Sequence, residues 1–472
     1  MKLKNKYLFF FLLVGSLSGT SCSKWLDVKP KTEVSEIDMF ENEQGFKDAM
    51  TGVYTQMASS NLYGKEFTMG LMDVLAQNYD IYLNTHSYYQ AANYNYLGLT
   101  VRPRIDAFWN FSYKAIANLN NLLKQIDEKK NLFSGINYQI IKGEALALRA
   151  FLHFDLLRAF GPVPVNNMDA EAIPYRKEFN MNVNPSLSLQ QVTNECLNDL
   201  DEAGKLLSVD KNVYYGHSDV YRSYTRNHMN YWAVTGLMAR IYLYRAEKDL
   251  AYKKAKEVID GKIFPFITPS SIGSNSAPDR TFATEHLFAV YVANLRDIND
   301  ELFRSSVDIN VLLTNTNSFI NRRYEIMSGG STDYRYLNLW KTDGATAIKY
   351  PAKYRMDDIN NTTNTVKRVP LIRLSEMYYI CAEASSNKDE KIDLLNEVRT
   401  NRGLRLLSKN LTEKAVEDEI FKEYKKEFYQ EGQLFYYYKR KNRLNIDGYG
   451  SDADSKIYVL PLPNDEIEFT TK

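Results

Sequence analysis

The stretch "GEALALRAFLHFDLLRAFGPVPV", residues 143–165, has the residue pattern of a long helix and its end. Apolar residues recur through it, and just before it, at spacings of three and four, which is the period of an α-helix packed against a core. These residues are Ile141, Ala145, Leu148, Leu152, Leu156 and Ala159. Gly161 and Pro162 follow, and a glycine–proline pair ends a helix. We therefore predict a helix over 137–160, followed by the extended "VPV".

The same period occurs in several other segments. Residues 106–127 carry Trp109, Tyr113, Ile116, Leu119, Leu123 and Ile126 at spacings of three and four. A short break separates this segment from 137–160, so the two predict an antiparallel helical hairpin. Residues 228–260 and 371–401 predict the same shape, and Thr412 is the N-cap of a last helix that we expect to run to about residue 440. The hairpins loosely resemble tetratricopeptide units.

The remaining organisation follows from composition. We expect helical regions over 46–264, which include a loop at 75–100, and over 366–472. Residues 265–365 are rich in Asn, Ser, Thr and Tyr, with a strand-like piece at 286–292, and are too long for an ordinary loop. They predict an irregular sub-domain or the functional face, because binding residues often lie on loops held by a scaffold. The fold prediction is mainly α: hairpins forming a scaffold, a loop-rich face and few short strands.

The composition argues against nucleic-acid binding and favours a face that uses tyrosine. Lys and Arg total 59 against 58 Asp and Glu, a balance without the basic excess that nucleic acid or anionic membranes require. Tyr (35) outnumbers Phe (23), and residues 78–98 hold six tyrosines and four asparagines. Tyrosine combines an apolar ring with a polar tip, which suits half-buried surfaces and binding faces.

The N-terminus predicts export and lipidation. Lys2, Lys4 and Lys6 precede the apolar run of residues 8–17, and small residues lead to Cys22. This is the pattern of a secretory signal peptide over 1–21, too short to span a bilayer. The position of Cys22 resembles a bacterial lipobox, so we predict a lipidated Cys22 and an extended leader over 22–45, with plain secretion as the alternative. No later segment is apolar and long enough to span a membrane.

Catalytic and metal-binding signatures are absent from the sequence. There is no GxSxG, HExxH or Walker motif, and no CxxC or Cys/His cluster. His153 and Asp155 do not share a helix face, so a structural histidine is favoured. For Cys196 and Cys381, two buried thiols are favoured over a disulfide. We predict no enzyme activity, no metal and no cofactor.

Several strings in order along the chain resemble the SusD/RagB family. They are 143–165, "RLSEMYYICAEA" (373–384), "LNEVRTNRGL" (395–404), "EFYQEGQLFYYYKR" (427–440) and "VLPLPNDEI" (459–467), with "SCSKWLDVKP" (21–30) similar to the start of a mature chain. The resemblance implies a surface-exposed outer-membrane lipoprotein of Bacteroidetes with four tetratricopeptide-like hairpins. It also implies a SusC-like TonB-dependent transporter as partner, to which a nutrient oligosaccharide, or a peptide in the RagB branch, is delivered without catalysis.

The resemblance assigns ligand contacts to two regions. Within them we select side chains with flat rings or polar groups, because a glycan site needs both. The site candidates are Tyr82, His86, Tyr88, Tyr89 and Asn93 in the first region and Tyr291, Arg296, Tyr336 and Trp340 in the second. Asp333 with Arg335 is expected to be structural, and Trp109 to lie in the core. A helical-repeat scaffold without a small ligand remains an alternative, as does a peptide binder. An enzyme would need two carboxylates converging beside these tyrosines.

Overall fold

The computed structural model describes residues 39–211, 220–343, 347–356, 367–449 and 454–470. The predicted signal peptide, Cys22 and all but the end of the leader lie outside these residues. In the described part, none of the helices combines the length and the apolar character that crossing a bilayer requires.

The first half of the chain is built from helices that follow the predicted periodicity. They are α1 (Glu43–Met57), α2 (Leu71–Leu75), α3 (Tyr89–Ala92), α4 (Arg102–Ile126), α5 (Asn137–Phe160), α6 (Leu189–Leu207), α7 (Tyr231–Tyr244) and α8 (Lys248–Gly261). The predictions over 106–127, 137–160 and 228–260 are confirmed as α4, α5 and the pair α7–α8.

The second half alternates short helices with longer ones. They are α9 (Pro269–Ile272), α10 (Leu295–Leu302), α11 (Asn317–Arg323), α12 (Tyr334–Asn338), α13 (Leu374–Ala384), α14 (Lys388–Thr400), α15 (Glu413–Glu427), α16 (Gln433–Arg440) and α17 (Asn464–Thr470). The hairpin over 371–401 is confirmed as α13–α14.

Strands are few and short. They are β1 (Glu171–Ile173), β2 (Leu187–Ser188), β3 (His286–Tyr291), β4 (Trp340–Thr342), β5 (Lys349–Pro351) and β6 (Arg368–Arg373). Within the described residues they form three antiparallel pairs, β1–β2, β3–β6 and β4–β5. The mainly helical fold with few strands is therefore confirmed.

Helix α5 is the centre of the helical layer. It packs between α4 and α6, and almost all of its residues are buried, because its apolar side chains cover every face rather than one stripe. A Cβ on Gly143 would lie 2.7 Å from the Leu207 side chain, so the glycine permits the close approach of α6. Further along, α8 packs on both α7 and α13, and α13 packs on α14.

The prediction of one long C-terminal helix is wrong. Thr412 does cap it, since its hydroxyl accepts a hydrogen bond from Ala415 N at 3.2 Å, but α15 ends at Glu427 and α16 begins at Gln433. Between them Gln430 and Gly432 adopt left-handed backbone conformations, with φ of +65° and +69°. The apolar period continues across this turn, so periodicity alone gives no sign of the break.

A cluster of buried ion pairs joins the strand pair β3–β6 to α15. The Glu427 carboxylate accepts hydrogen bonds from Arg335, Arg373 and Arg402 at 2.8, 2.6 and 2.6 Å, and Arg402 also pairs with Glu285 at 2.7 Å. These side chains are at most 1% exposed. Burial alone would raise the pKa of Glu427, but the guanidinium groups of Arg402, Arg373 and Arg335 hold it well below its usual range.

Several single-residue predictions are settled by burial. Asp333 and Arg335 pair at 2.7 Å with no exposed side-chain surface, which confirms their structural role. Trp109 lies in the core, and His153 is fully buried with its Nε2 accepting from Arg176 N at 3.0 Å. Cys196 and Cys381 are free, buried thiols.

Candidate functional site

Four of the six tyrosines in residues 78–98 fix the loop to the protein interior. The hydroxyl of Tyr79 donates to Met69 O at 2.7 Å, and that of Tyr94 donates to Leu75 O at 2.9 Å. Tyr96 donates to Ile457 O near the C-terminus. Tyr88 is 1% exposed and donates to the Glu66 carboxylate at 3.0 Å. The rings of these four side chains are largely buried and their hydroxyls are hydrogen-bonded, so most of the unusual tyrosine content of this loop is structural.

Two candidates of the first region, Tyr88 and His86, lie inside the protein. The guanidinium of Arg104 lies 4.2 Å from the centre of the Tyr88 ring, and the same side chain donates to Ser87 O at 3.1 Å. His86 is buried, with its Nε2 3.1 Å from Leu312 O, and this burial lowers its pKa. Neither ring is presented at the surface; both support the loop from beneath.

The first region packs directly against part of the second. Asp80 N donates to Thr314 O at 3.0 Å, and Ser87 N donates to Asn310 O at 2.8 Å. Thr316 N donates back to the Asp80 carboxylate at 2.6 Å. The segments 78–88 and 308–316 therefore form one surface, although more than 200 residues of sequence separate their bonded residues.

Several polar and aromatic side chains on these segments, or in the residues that follow 88, are at least partly exposed. Tyr82 is 75% exposed, Tyr89 is half-buried and Asn93 is exposed. Thr85 donates to the Asn310 amide oxygen at 2.5 Å. Partial burial, and then the Asp80 carboxylate that accepts its hydrogen bond, raise the pKa of Tyr82. We call Tyr82, Thr85, Tyr89, Asn93 and Asn310 the loop surface.

Tyr336 contacts α11, the short helix that follows residues 308–316. Its hydroxyl is 3.5 Å from the Asn321 amide oxygen, and the Lys349 ammonium lies 3.9 Å from its ring centre. Arg322, the next residue of α11, is close enough to affect the pKa of Tyr82, which it lowers. Tyr82 and Tyr336 therefore lie near consecutive residues of α11, Arg322 and Asn321.

The other candidates of the second region are placed differently. Trp340 is 3% exposed and packs against Tyr429, with ring centres 4.9 Å apart, so it belongs to the core. Arg296 is exposed and donates to Met356 O at 2.8 Å. Tyr291 lines a separate cleft between α1 and residues 220–228, which none of the other candidates lines. Composition could not separate these cases, because a buried aromatic residue and a presented one look alike in sequence.

Among the described residues, no group of three or more His, Cys, Asp or Glu side chains is arranged to hold a metal ion. The described side chains of the loop surface are aromatic, hydroxyl and amide groups. Such groups can stack on and hydrogen-bond to a polyhydroxylated or amide-bearing ligand.

The helical layer and its loop-rich face define the architecture of a helical-repeat binding protein. A family described as "Starch-binding associating with outer membrane" (SusD-like) matches residues 24–243, and the SusD family matches residues 294–468. Together the two matches cover most of the chain, which belongs to the SusD/RagB family. Proteins of this family are associated with the outer membrane and include carbohydrate-binding members.

Solved structures share the fold along nearly the whole chain. A SusD superfamily protein from Bacteroides thetaiotaomicron is 22% identical with a TM-score of 0.70, covering 91% of this chain and 98% of its own. A SusD-like carbohydrate binding protein from Bacteroides vulgatus is 20% identical with a TM-score of 0.70, covering 92% and 97%. SusD-like protein P38 of Formosa agariphila is 26% identical over 218 residues, which are 45% of this chain and 40% of that relative.

Proposed function

We propose that this protein is a cell-surface lipoprotein that captures a nutrient oligosaccharide and delivers it to a SusC-like TonB-dependent transporter, without catalysis. The observation that carries the proposal is the packing of residues 78–88 on 308–316, which leaves Tyr82 75% exposed, with the half-buried Tyr89 directly after these residues. The family includes carbohydrate-binding members, and a ring face beside amides and hydroxyls suits a sugar ring.

The proposed contacts are those candidates that the fold presents. Tyr82 and Tyr89 supply ring faces, and Asn93 supplies an amide group. Tyr336 and Arg296 are proposed as further contacts. His86, Tyr88 and Trp340 are proposed to act beneath the surface, because their burial leaves no face for a ligand.

The lipid anchor and the transporter are the other parts of the proposal. Cys22 is proposed as the lipidated residue after removal of residues 1–21, and the helical side is proposed to face the transporter. Replacing Cys22 with Ser in the native host is expected to move the protein from the membrane fraction to the soluble fraction. Retention in the membrane fraction would contradict the lipid anchor.

A calorimetric screen tests the ligand. The chain from residue 23 would be titrated with hexasaccharides of α-1,4-glucan, β-1,3-glucan, β-1,4-xylan and α-1,4-galacturonan, and with unstructured peptides. We expect an oligosaccharide to bind and the double variant Tyr82→Ala/Tyr89→Ala to weaken it about tenfold or more, equivalent to ~1.4 kcal/mol. Tyr242→Ala, at a half-buried tyrosine on α7, is the matched control and should leave affinity unchanged.

Two results of this screen would contradict the proposal. Binding of peptides alone would assign the protein to the peptide-binding branch. Equal affinity of the double variant and the wild type would remove the loop surface from the site.

A further inference from the structure

A cleft of about 580 Å³ opens between α1 and residues 220–228, away from the loop surface. Five residues of α1 line it. Gln44, Lys47, Thr51 and Thr55 follow at spacings of three and four, so they form one stripe of that helix, and Tyr54 is the fifth. The opposite wall is formed by Tyr221, Asn227, His228 and Tyr291, with Val220 at the edge. The volume of the cleft is within the range of small-molecule sites.

The aromatic wall of the cleft is held by one buried carboxylate. Glu144 of α5 is buried and accepts hydrogen bonds from the hydroxyls of Tyr54 and Tyr221 at 2.8 and 3.0 Å. The same oxygen is 3.0 Å from Nδ1 of His228. The Tyr54 hydroxyl in addition accepts from Met229 N at 2.9 Å. Three rings are therefore fixed by their polar ends.

Glu144 also decides which atom of His228 meets the cleft. A carboxylate at Nδ1 places the imidazole proton on that nitrogen, which orients the ring and leaves Nε2 as the second polar atom. The ring lies between Tyr54 and Tyr221, with centres 4.7 and 4.8 Å away. Within the described residues, Nε2 makes no hydrogen bond. It is a fixed polar atom at the aromatic wall.

The remaining polar groups match a ligand with many hydroxyls. The Asn227 amide oxygen is buried without a hydrogen-bond partner. The hydroxyls of Thr51 and Thr55 donate to carbonyls of their own helix at 2.8 Å, so their oxygens can accept from a ligand. Among the described lining residues none is acidic and only Val220 is aliphatic. A peptide would gain little here, because its apolar side chains and its ammonium groups find no complementary residue.

We infer that this cleft is a second ligand site, separate from the loop surface, and that it binds a short neutral or acidic oligosaccharide. Tyr291 and the Glu144-held rings stack on the sugar, while His228 Nε2, Asn227 and the two threonines meet its hydroxyls. None of the loop-surface residues lines this cleft, and of the site candidates predicted from sequence only Tyr291 does.

Two histidines report on the two sites separately. His228 lies in the cleft, whereas His86 lies under the loop surface, 3.1 Å from Leu312 O. In protein labelled with ¹³C at histidine, the Hε1 signals would be followed during titration with the same four hexasaccharides and with unstructured peptides. His228→Gln and His86→Gln assign the signals. Tyr291→Ala and Asn227→Ala test the cleft, and Tyr242→Ala is the control.

We expect at least one hexasaccharide to shift the His228 signal, with an affinity for that event that falls tenfold or more in Tyr291→Ala and Asn227→Ala. Tyr82→Ala/Tyr89→Ala should leave that affinity within twofold. If a hexasaccharide shifts only the His86 signal, the proposal of a second site is wrong and the proposed function still holds. A shift of His228 by peptides alone, or by none of the probes, also overturns it. Unchanged melting temperatures of the variants show that folding is preserved.

Discussion

The carboxylate of Asp73 accepts a hydrogen bond from the main-chain N–H of Gly432 at 3.0 Å, across 359 residues of sequence. Its second oxygen accepts from Gln430 N at 2.5 Å. Asp73 is fully buried, in α2. One side chain of the N-terminal half thus satisfies the two main-chain donors of the turn that separates α15 from α16.

Asp73 makes stability depend on pH. Burial raises its pKa from 3.8 to about 7, against the opposing effect of its hydrogen bonds. Between these values the folded chain holds a proton that the unfolded chain has released, so stability falls as the pH rises from about 4 to about 7. In Asp73→Asn, which does not titrate, we expect a smaller fall in the free energy of unfolding between pH 5 and pH 7, measured in urea. Asp260→Asn, at an exposed carboxylate, should keep the wild-type slope.

The same Asp73→Asn variant should be less stable at pH 5 by ~1–3 kcal/mol. At pH 5 the neutral Asp73 carboxyl still has two oxygens that can accept the two N–H groups, whereas an asparagine has one, so its NH₂ faces a main-chain donor. Identical slopes in variant and wild type would show that Asp73 does not titrate in this window.

Gly432→Ala is expected to destabilise the protein by roughly 2 kcal/mol or more. The residue has a φ of +69°, and an added Cβ would lie 2.6 Å from Phe67 O, which is main chain and cannot move aside easily. Gly52→Ala, inside α1 with no atom within 4 Å of the new Cβ, should instead be neutral or stabilising by up to ~1 kcal/mol. Urea unfolding measures both, and equal effects would contradict the strained turn.

Glu427→Gln is expected to destabilise the protein by about 3–5 kcal/mol, because it leaves three buried guanidinium groups short of one negative charge. Glu417→Gln is the matched control: it is exposed on the same helix and should change stability by less than ~0.5 kcal/mol. Thermal unfolding followed by circular dichroism compares the two. A Glu427→Gln protein as stable as the control would mean that the cluster does not depend on this carboxylate.

Tyr88→Phe and Tyr89→Ala should separate stability from binding at adjacent residues. Tyr88→Phe removes the hydroxyl that donates to Glu66, so we expect a loss of ~1–2 kcal/mol in stability and no change in ligand affinity. Tyr89→Ala should weaken ligand binding with little loss of stability. Calorimetric titration measures the ligand affinity of both variants, and urea unfolding measures their stability. Weaker binding in Tyr88→Phe together with unchanged binding in Tyr89→Ala would place the ligand at Tyr88.

Periodicity predicted the long helices to within a few residues, because α4 and α5 bury apolar side chains at the helical spacing. It failed at the turn of Gln430 and Gly432, where the stabilising partner, Asp73, is remote in sequence. Tyrosine content pointed to residues 78–98, and the contact between 78–88 and 308–316 agrees with the expected meeting of two regions. Tyrosine content could not distinguish the exposed Tyr82 from the buried Tyr88. The Tyr88 hydroxyl can be buried because it donates to Glu66, and this contact is formed only in the tertiary structure.

The cleft was the part that sequence analysis missed. Its stripe on α1 is visible as Thr51 and Thr55 one turn apart, but such a stripe is usually a solvated face. What makes it a wall of a cavity is Glu144, which comes from the interior of α5 and fixes rings contributed by distant segments.

The bond from Tyr96 to Ile457 has a consequence for the order in which the molecule is assembled. The loop of residues 78–98 is made early in synthesis, yet the Ile457 carbonyl that anchors it is made 361 residues after Tyr96. Together with the Asp73–Gly432 contact, this means that the loop surface reaches its final form only after residue 457 has been made. A protein truncated shortly before residue 457 would keep most of its helices and lack a finished loop surface.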